Sequence, residues 1–291
     1  MRKLICIMVS FNRISKLPMA IGNCLSNGAD HIIIVDNNSN DEVIDYLNSI
    51  KDSNNITVIF NDINVGASKG FMQAIESLNE VCDVKNSDVI FLDDDSYLSK
   101  DFKSRLYYDG ANFISPRVVD ERGHILKMNL PLVKSPSSFL DVLFYLLRRP
   151  VPDDITKNVN IVSASFVGLT MPADFACENK KSIPEDFFIY FDDVYFTLKL
   201  INDGYSGKYI PSLNIIHETT DYKRVNSVIV IYHLFRNAVV THKYMTSWWW
   251  IIIFAKFIAY SVVILIRAEA KIEMLKYMCL GIVDGIKRIG R

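Results

Sequence analysis

Three adjacent carboxylates, Asp93-Asp94-Asp95, follow the apolar run Val89-Ile90-Phe91-Leu92. Charges of one sign that close together repel unless a cation compensates them. Alternate residues of an extended chain point the same way, so Asp93 and Asp95 are expected to face one hard divalent cation, Mg²⁺ or Mn²⁺. Such an ion would neutralise a diphosphate leaving group. The bland reading is a solvated acidic turn, or a helix cap at Asp95. A second pair, Asp192-Asp193, is embedded in Phe188-Ile189-Tyr190-Phe191 and Val194-Tyr195-Phe196. Burial and like charge both favour the protonated form of one member, which suits a general base for a hydroxyl. A pair at a helix N-terminus reads the same way, with one Asp capping and the other acting as base. Asp193 is the preferred base, and the nearby Glu185-Asp186 is the competing pair. His217 ends Asn214-Ile215-Ile216, where a neutral imidazole would complete a metal site with two carboxylates, although a lone histidine is more often structural.

The elements that must position these groups alternate. Leu4–Val9, His31–Val35, Ile56–Phe60 and Asp88–Leu92 are short apolar runs with the length of buried strands. Between them Ile14–Ser26, Glu42–Ile50 and Ala67–Leu78 have helical spacing. This order predicts βαβ units, a mostly parallel sheet with flanking helices, and a ligand at the carboxyl ends of the strands. Asp36, Asn64 and Asp93–Asp95 fall at three of those ends and should open onto one cleft. Farther on, Ser137–Arg149 reads as an apolar helix over the cleft or on a membrane, and Ile161–Thr170 as strand and turn. Phe187–Asp203 reads as a strand becoming a helix after Asp192-Asp193, and Lys208–Ile216 as the strand that delivers His217. Asn64-Val65-Gly66-Ala67-Ser68-Lys69-Gly70 is a glycine-containing turn into a helix that could bring backbone or Lys69 to a phosphate, but it matches neither a Walker A loop nor GxGxxG. Arg236-Asn237 lies in a basic helix, as a diphosphate or acceptor contact or as plain helix surface.

The 291 residues carry a net charge of −1, which argues against a nucleic-acid partner. The charge is divided unevenly. Residues 223–291 hold 11 Lys/Arg against 3 Asp/Glu, a net +8, so residues 1–222 hold −9. This division predicts a nucleotide-binding, catalytic domain over 1–222 and a basic, aromatic-rich helical region over 223–291. Ser227–Tyr244 reads as a helix, and Trp248–Ile266 is almost wholly apolar apart from Lys256. A charge at a bilayer centre costs about 2.5–3.5 kcal/mol or more. The run is therefore expected to lie at the membrane interface, with Trp248-Trp249-Trp250 in the headgroup layer, or to form an oligomer contact, making the chain a homo-oligomer. Five scattered cysteines without a CxxC pair read as reduced thiols, and Leu4–Val9 is too short for a secretion signal. Both point to the cytoplasm, peripheral on the inner face of the plasma membrane.

Together the motifs resemble the family 2 inverting glycosyltransferases of the GT-A fold, from about Lys3 to Tyr244. Val9-Ser10-Phe11-Asn12-Arg13 is similar to that family's opening strand-end motif, and Val35-Asp36-Asn37-Asn38-Ser39 to its second, whose Asp binds the base. Asn64 to Gly70 resembles its N-x-G-x-x-x-G segment, Asp93-Asp94-Asp95 its metal-binding motif, and Asp192-Asp193 its acidic pair. The resemblance implies a UDP- or dTDP-sugar donor held by Ser10, Asn12, Arg13, Asp36, Asn64, Gly66, Lys69, Gly70, Asp94 and Arg236. It implies a Mn²⁺ or Mg²⁺ ion on Asp93, Asp95 and His217, with Asp193 as base beside Asp192. The full DDD, the Phe-Asp-Asp before a helix and the downstream His217 are most like bacterial galactofuranosyltransferases, with rhamnosyltransferases next. That likeness implies UDP-galactofuranose as donor and a lipid-linked glycan as acceptor in surface-polysaccharide or O-antigen synthesis. The long terminal domains of polymerising members are missing from the sequence, which points to a single-linkage transferase. The competing readings are a transferase of rhamnose or another hexose, a non-catalytic sugar-nucleotide or membrane-binding protein, and a nucleotidyltransferase.

Overall fold

The structure, a computed structural model, describes residues 2–147, 156–218, 227–267 and 270–290. The predicted boundary at 222/223 and the pair Arg148-Arg149 lie outside the described residues. The chain runs β1 (Lys3–Ser10), α1 (Leu17–Ser26), β2 (His31–Asp36), α2 (Asp41–Ile50), β3 (Ile56–Phe60), α3 (Gly66–Glu76), α4 (Leu78–Val81), β4 (Ser87–Asp93), β5 (Ser96–Leu98) and β6 (Phe113–Val119). It continues with α5 (Phe139–Leu146), β7 (Val159–Ile161), β8 (Thr170–Pro172), α6 (Ala173–Asn179), α7 (Asp192–Asn202), β9 (Gly207–His217), α8 (Val228–Thr241), α9 (Trp249–Arg267) and α10 (Lys271–Ile289).

One sheet carries the strand order β3-β2-β1-β4-β8-β6-β9-β5, with β7 also paired to β9. β1, β2, β3, β4, β6 and β9 run one way, and β5, β7 and β8 run against them, so the sheet is mixed but mostly parallel. The central strands are apolar throughout because both faces are covered. Leu4, Cys6 and Met8 of β1, Ile32 and Ile34 of β2, and Ile90 and Leu92 of β4 pack with α1 and α2 on one face. The alternating residues Ile5, Ile7, Ile33, Val35, Val89 and Phe91 pack with Phe71 and Ile75 of α3 on the other. Phe187–Phe191 is not the strand that its aromatic run suggested. Tyr190 and Phe191 both have φ of 65°, and two left-handed residues in succession cannot continue a pleat.

α8, α9 and α10 form a separate helical layer. α8 packs on α7 through Val239 and Val240, with Leu198, Phe191, Trp249 and Ile253 in the same cluster. Trp249 is fully buried and its indole N–H donates to the Ala238 carbonyl at 2.8 Å, so it belongs to this core and not to an outward aromatic belt. α10, which hydropathy alone had not separated, packs along α8 on its glycines. A Cβ on Gly281 would lie 2.4 Å from the Tyr232 carbonyl, and one on Gly285 2.8 Å from that of Arg236. Glycines four apart share a helix face, so the two backbones can touch there. Trp249–Ile266 is long and apolar enough to cross a membrane by length and composition, with mean hydropathy 2.3 and 22% of it buried.

Gly281→Val is expected to force α10 off α8 and lower stability by about 1–3 kcal/mol, read as a lower melting temperature. Gly22→Ala, in α1 with nothing within 4 Å of the added methyl, is expected to leave it unchanged or raise it.

Candidate functional site

The strand register lines the site up. Ser10 sits beside Asp36, and Val9 beside Asp93, at the carboxyl edge of three neighbouring strands. Across a tight turn at Asp94-Asp95 the chain reverses into β5, held by Ser96, whose hydroxyl accepts from the Asp93 N–H at 2.9 Å and donates to the Asp93 carbonyl at 3.0 Å. Asp93 and Asp95 are thus brought together by a turn, and not by the alternation of an extended strand. β5 pairs with β9 so that Ser96 faces His217, and the Glu218 N–H bonds the Asp95 carbonyl at 2.9 Å. This register delivers His217 to the acidic turn.

Asp93, Asp95 and His217 have ligand atoms all within 4.8 Å of one another. Two carboxylates and an imidazole suit a divalent cation of the Mn²⁺ type. His217 Nε2 lies 3.1 Å from Asp95 Oδ1. Its Nδ1 faces Asn129 Oδ1 at 3.3 Å, while the Asn129 amide N–H donates to Ser165 Oγ at 3.0 Å. With Asn129 Oδ1 as the acceptor, the proton sits on Nδ1 and donates to it, and Nε2 is turned to the carboxylates, an outer partner of the kind that orients a ligating histidine. Asn129 was not legible in the sequence, because 88 residues separate it from His217.

The electrostatics follow from burial. Burial pushes the Asp93 carboxyl up and that of Asp94 up to about 7, against the pull of Arg13 and the Phe11 N–H on Asp94. For Asp95 burial is outweighed by His217 and Arg13, which hold it below the usual carboxylate range. His217 would be lowered by burial, but Asp95 and Asp93 hold it above the usual imidazole value. Arg13 reaches Asp95 at 2.7 Å and lies 3.9 Å from Asp94. Arg13 therefore compensates the acidic turn.

Asp192 and Asp193 open α7. The cap position is Phe191, with no side-chain cap, so neither carboxylate serves as the expected N-cap. Asn237 of α8 donates to the carbonyls of Ile189 at 2.9 Å and Tyr190 at 3.0 Å, pinning the two left-handed residues that aim the pair. Asp192 is buried, and burial with the charge of Asp193 raises it well above the usual range. Asp193 is partly exposed. Burial raises it to about 6, helped by the charge of Asp93 and opposed by N–H bonds from Val194 and Phe166. The competing pair is engaged elsewhere: Asp186 with Arg236 and Arg288, and exposed Glu185 with Lys69 at 3.4 Å.

Several other expected donor contacts are taken up within the protein. The Asn12 side-chain oxygen accepts from the Asn40 N–H at 2.7 Å, and Asn64 Oδ1 from the Gly66 N–H at 2.9 Å. A Cβ on Gly66 would sit 2.5 Å from the Phe188 carbonyl, and one on Gly70 2.8 Å from Val9, so both glycines are required for close packing. Arg236 is held by Asp186 and lies 5.7 Å from the Phe187 ring centroid. By contrast, Ser10 Oγ and Asp36 Oδ1 are buried with no hydrogen-bond partner among the described residues, while Asp36 Oδ2 accepts from the Ser39 N–H at 3.0 Å. Buried polar atoms without partners are uncommon, and these two stand at the strand ends where a ligand would complete them.

Residues 5–109 match the family model Glycosyl transferase family 2. No curated protein matches the chain in sequence. Among solved structures it is similar to GalNAc-T7 with UDP, GalNAc and Mn²⁺, at TM-score 0.60 and 13% identity over 99% of this chain and 56% of that one. It is also similar to S. aureus TarS 1-349 in complex with UDP-GlcNAc, at TM-score 0.58 and 15% identity over 99% of this chain and 81% of that one. The chain thus spans little more than half of the GalNAc-T7 chain.

Raised carboxyls make the cation-free fold pH-sensitive. Groups at about 6 and 7 in the folded state, above their unfolded values, contribute stability that is complete below pH about 4 and lost as pH rises through 6–7. A divalent cation should offset this loss. Mn²⁺ is therefore expected to raise the melting temperature more at pH 8 than at pH 5.5, with the increment gone in Asp95→Asn; an increment equal at both pH values would contradict the assignment.

Residues 5–109 thus carry the sequence pattern of Glycosyl transferase family 2, and they sit on a mixed α/β sheet of GT-A-like fold.

Proposed function

We propose that this protein is an inverting, metal-dependent transferase that moves a sugar from a nucleotide-sugar to the hydroxyl of a lipid-linked glycan at the inner face of a membrane. The observation that carries the reading is the convergence of Asp193, a carboxyl raised towards neutrality, with the trio Asp93, Asp95 and His217. The fold is one on which GalNAc-T7 is seen with UDP and Mn²⁺, and TarS with UDP-GlcNAc. Bound on the trio, Mn²⁺ or Mg²⁺ would act as a Lewis acid for the departing diphosphate.

The chain's own residues do the rest. Ser10 and Asp36, with their unpartnered oxygens, receive the nucleoside, and Arg13 adds positive charge beside the acidic turn. Asp193 accepts the proton of the acceptor hydroxyl. That oxygen forms a bond to the anomeric carbon as the bond from carbon to the diphosphate oxygen breaks on the opposite side, so the configuration inverts and the nucleoside diphosphate leaves with the electron pair. A base near 6 is largely ionised at neutral pH yet still a competent proton acceptor. The donor is read as UDP-galactofuranose, from the DDD, the Phe-Asp-Asp and His217.

Membrane placement is supported by the apolar surface. Phe254, Ile258 and Val262 of α9 are exposed, as are Leu140, Phe139 and Leu147 at α5. With Lys256 facing inwards, the helix is read as lying in the interface.

Asp193→Asn is expected to reduce turnover by about 10²–10⁴-fold while UDP binding persists. Wild-type turnover should fall as pH drops through about 6. The measurement is Mn²⁺-dependent UDP or dTDP release from UDP-galactofuranose, UDP-galactopyranose, UDP-glucose, UDP-N-acetylglucosamine and dTDP-rhamnose. Preference for dTDP-rhamnose would keep the mechanism and change the donor, and undiminished turnover in Asp193→Asn would remove the base.

A further inference from the structure

A cavity of about 510 Å³ opens between α5 and α9, within the range of sites for small ligands. Asp193 is in its wall, with Tyr145 of α5, Ala255, Lys256 and Tyr260 of α9, and Lys127. Asp93, Asp95 and His217 are not in that wall, but Ser165 is, and it accepts from Asn129, the partner of His217, so the cavity runs alongside the metal trio. Both helices at its mouth carry exposed apolar side chains, Leu143 and Phe144 on α5 and Phe254 and Ile258 on α9.

Lys256 is the unusual member. It is the one charged residue in the eighteen-residue apolar window Trp249–Ile266. It is two residues from Phe254 and Ile258, which on a helix is about 200° of rotation, so it projects away from the exposed apolar face. A lysine kept only for solubility or for snorkelling would point outwards. Instead its ammonium lies 5.3 Å from the Tyr145 ring centroid and 5.4 Å from that of Phe191, two residues before Asp193. Among the described residues no ion pair with a carboxylate is recorded for it. A half-buried cation packed on aromatic faces in the wall that also holds Asp193, with no carboxylate at ion-pair distance among the described residues, is arranged to receive an anion from a ligand.

We propose that this cavity is the acceptor site and that Lys256 binds a phosphate group of an amphiphilic acceptor, a glycan carried on a lipid phosphate. The inference rests on Asp193 being the base of the proposed transfer. The lipid tail leaves through the mouth between α5 and α9 into the apolar layer, the phosphate is held by Lys256, and the sugar end reaches Asp193. Lys256 is a specificity-determining residue: it selects acceptors by their charge and takes no part in proton transfer.

The test is binding to the full chain in detergent micelles, with farnesyl diphosphate as probe and farnesol as its uncharged control. Wild type is expected to bind the diphosphate, Lys256→Met to bind it about tenfold or more weakly, and Lys256→Arg to restore most of the affinity. Farnesol should bind both proteins alike. Equal affinity of wild type and Lys256→Met for the diphosphate overturns the proposal. So does a loss confined to phosphatidylcholine vesicles containing phosphatidylglycerol, which would assign Lys256 to lipid headgroups. If Lys256→Met does not fold, judged by its melting curve, Lys256→Gln reads the same loss. Donor turnover is scored separately: transfer that proceeds with Lys256 indifferent overturns the acceptor site alone, whereas Lys256-dependent binding without any UDP release overturns the transferase reading.

Discussion

The rest of the structure depends on keeping five carboxylates together at one edge of a buried sheet. Asp94, Asp95 and Asp192 are buried, and Asp93 and Asp193 are half-buried beside them. Arg13 and His217 are the positive partners recorded in contact with the acidic turn. Repulsion on this scale favours either protonation or a bound cation, and the fold leaves both routes open. Asp95 alone is held in the charged form, because it alone has both positive partners at bonding distance. The remaining carboxyls are raised, which is the state expected of a site completed by a cation and a phosphorylated ligand.

Holding that arrangement requires strain and anchors elsewhere. Two successive left-handed residues, Tyr190 and Phe191, are each of the kind that costs about 1–3 kcal/mol and persists only when the surroundings enforce it. Asn237 supplies that enforcement with two hydrogen bonds from α8. The Phe188 backbone just upstream closes on Gly66 and bonds the Ala67 N–H at 3.1 Å. One short loop is thereby clamped between the N-terminal half of the sheet and the helical layer, and the acidic pair Asp192-Asp193 is positioned by both.

Much of this was legible in the sequence, for reasons that differ between elements. β1 to β4 were readable because doubly covered strands are continuous apolar runs, and their polar C-terminal residues mark where the cover stops. β6 was missed because Pro116 and Arg117 interrupt its pattern at a register shift, and β5 because three residues carry no periodicity. The run Phe187–Phe191 misled because its aromatic residues have strand propensity, while its backbone is set by tertiary contacts through Asn237. Acidic residues were found by clustering alone. The glycine-containing turn Asn64–Gly70 could bring backbone or Lys69 to a phosphate, but the close approach that a glycine permits serves protein as well: Gly66 meets Phe188 and Gly70 meets Val9. Asn129 and Lys256 owe their importance to distant neighbours, and no local pattern reports such a partner.

The helical layer also links the acidic edge of the sheet with the apolar surface. α8 holds the turn before Asp192-Asp193 through Asn237 and is itself gripped by the glycine face of α10. Trp249, at the start of α9, hydrogen-bonds α8 at Ala238 and packs edge-on against Phe191. α9 therefore cannot shift without disturbing Phe191, the residue immediately before the acidic pair, so the contacts that seat the apolar helix also aim Asp192 and Asp193.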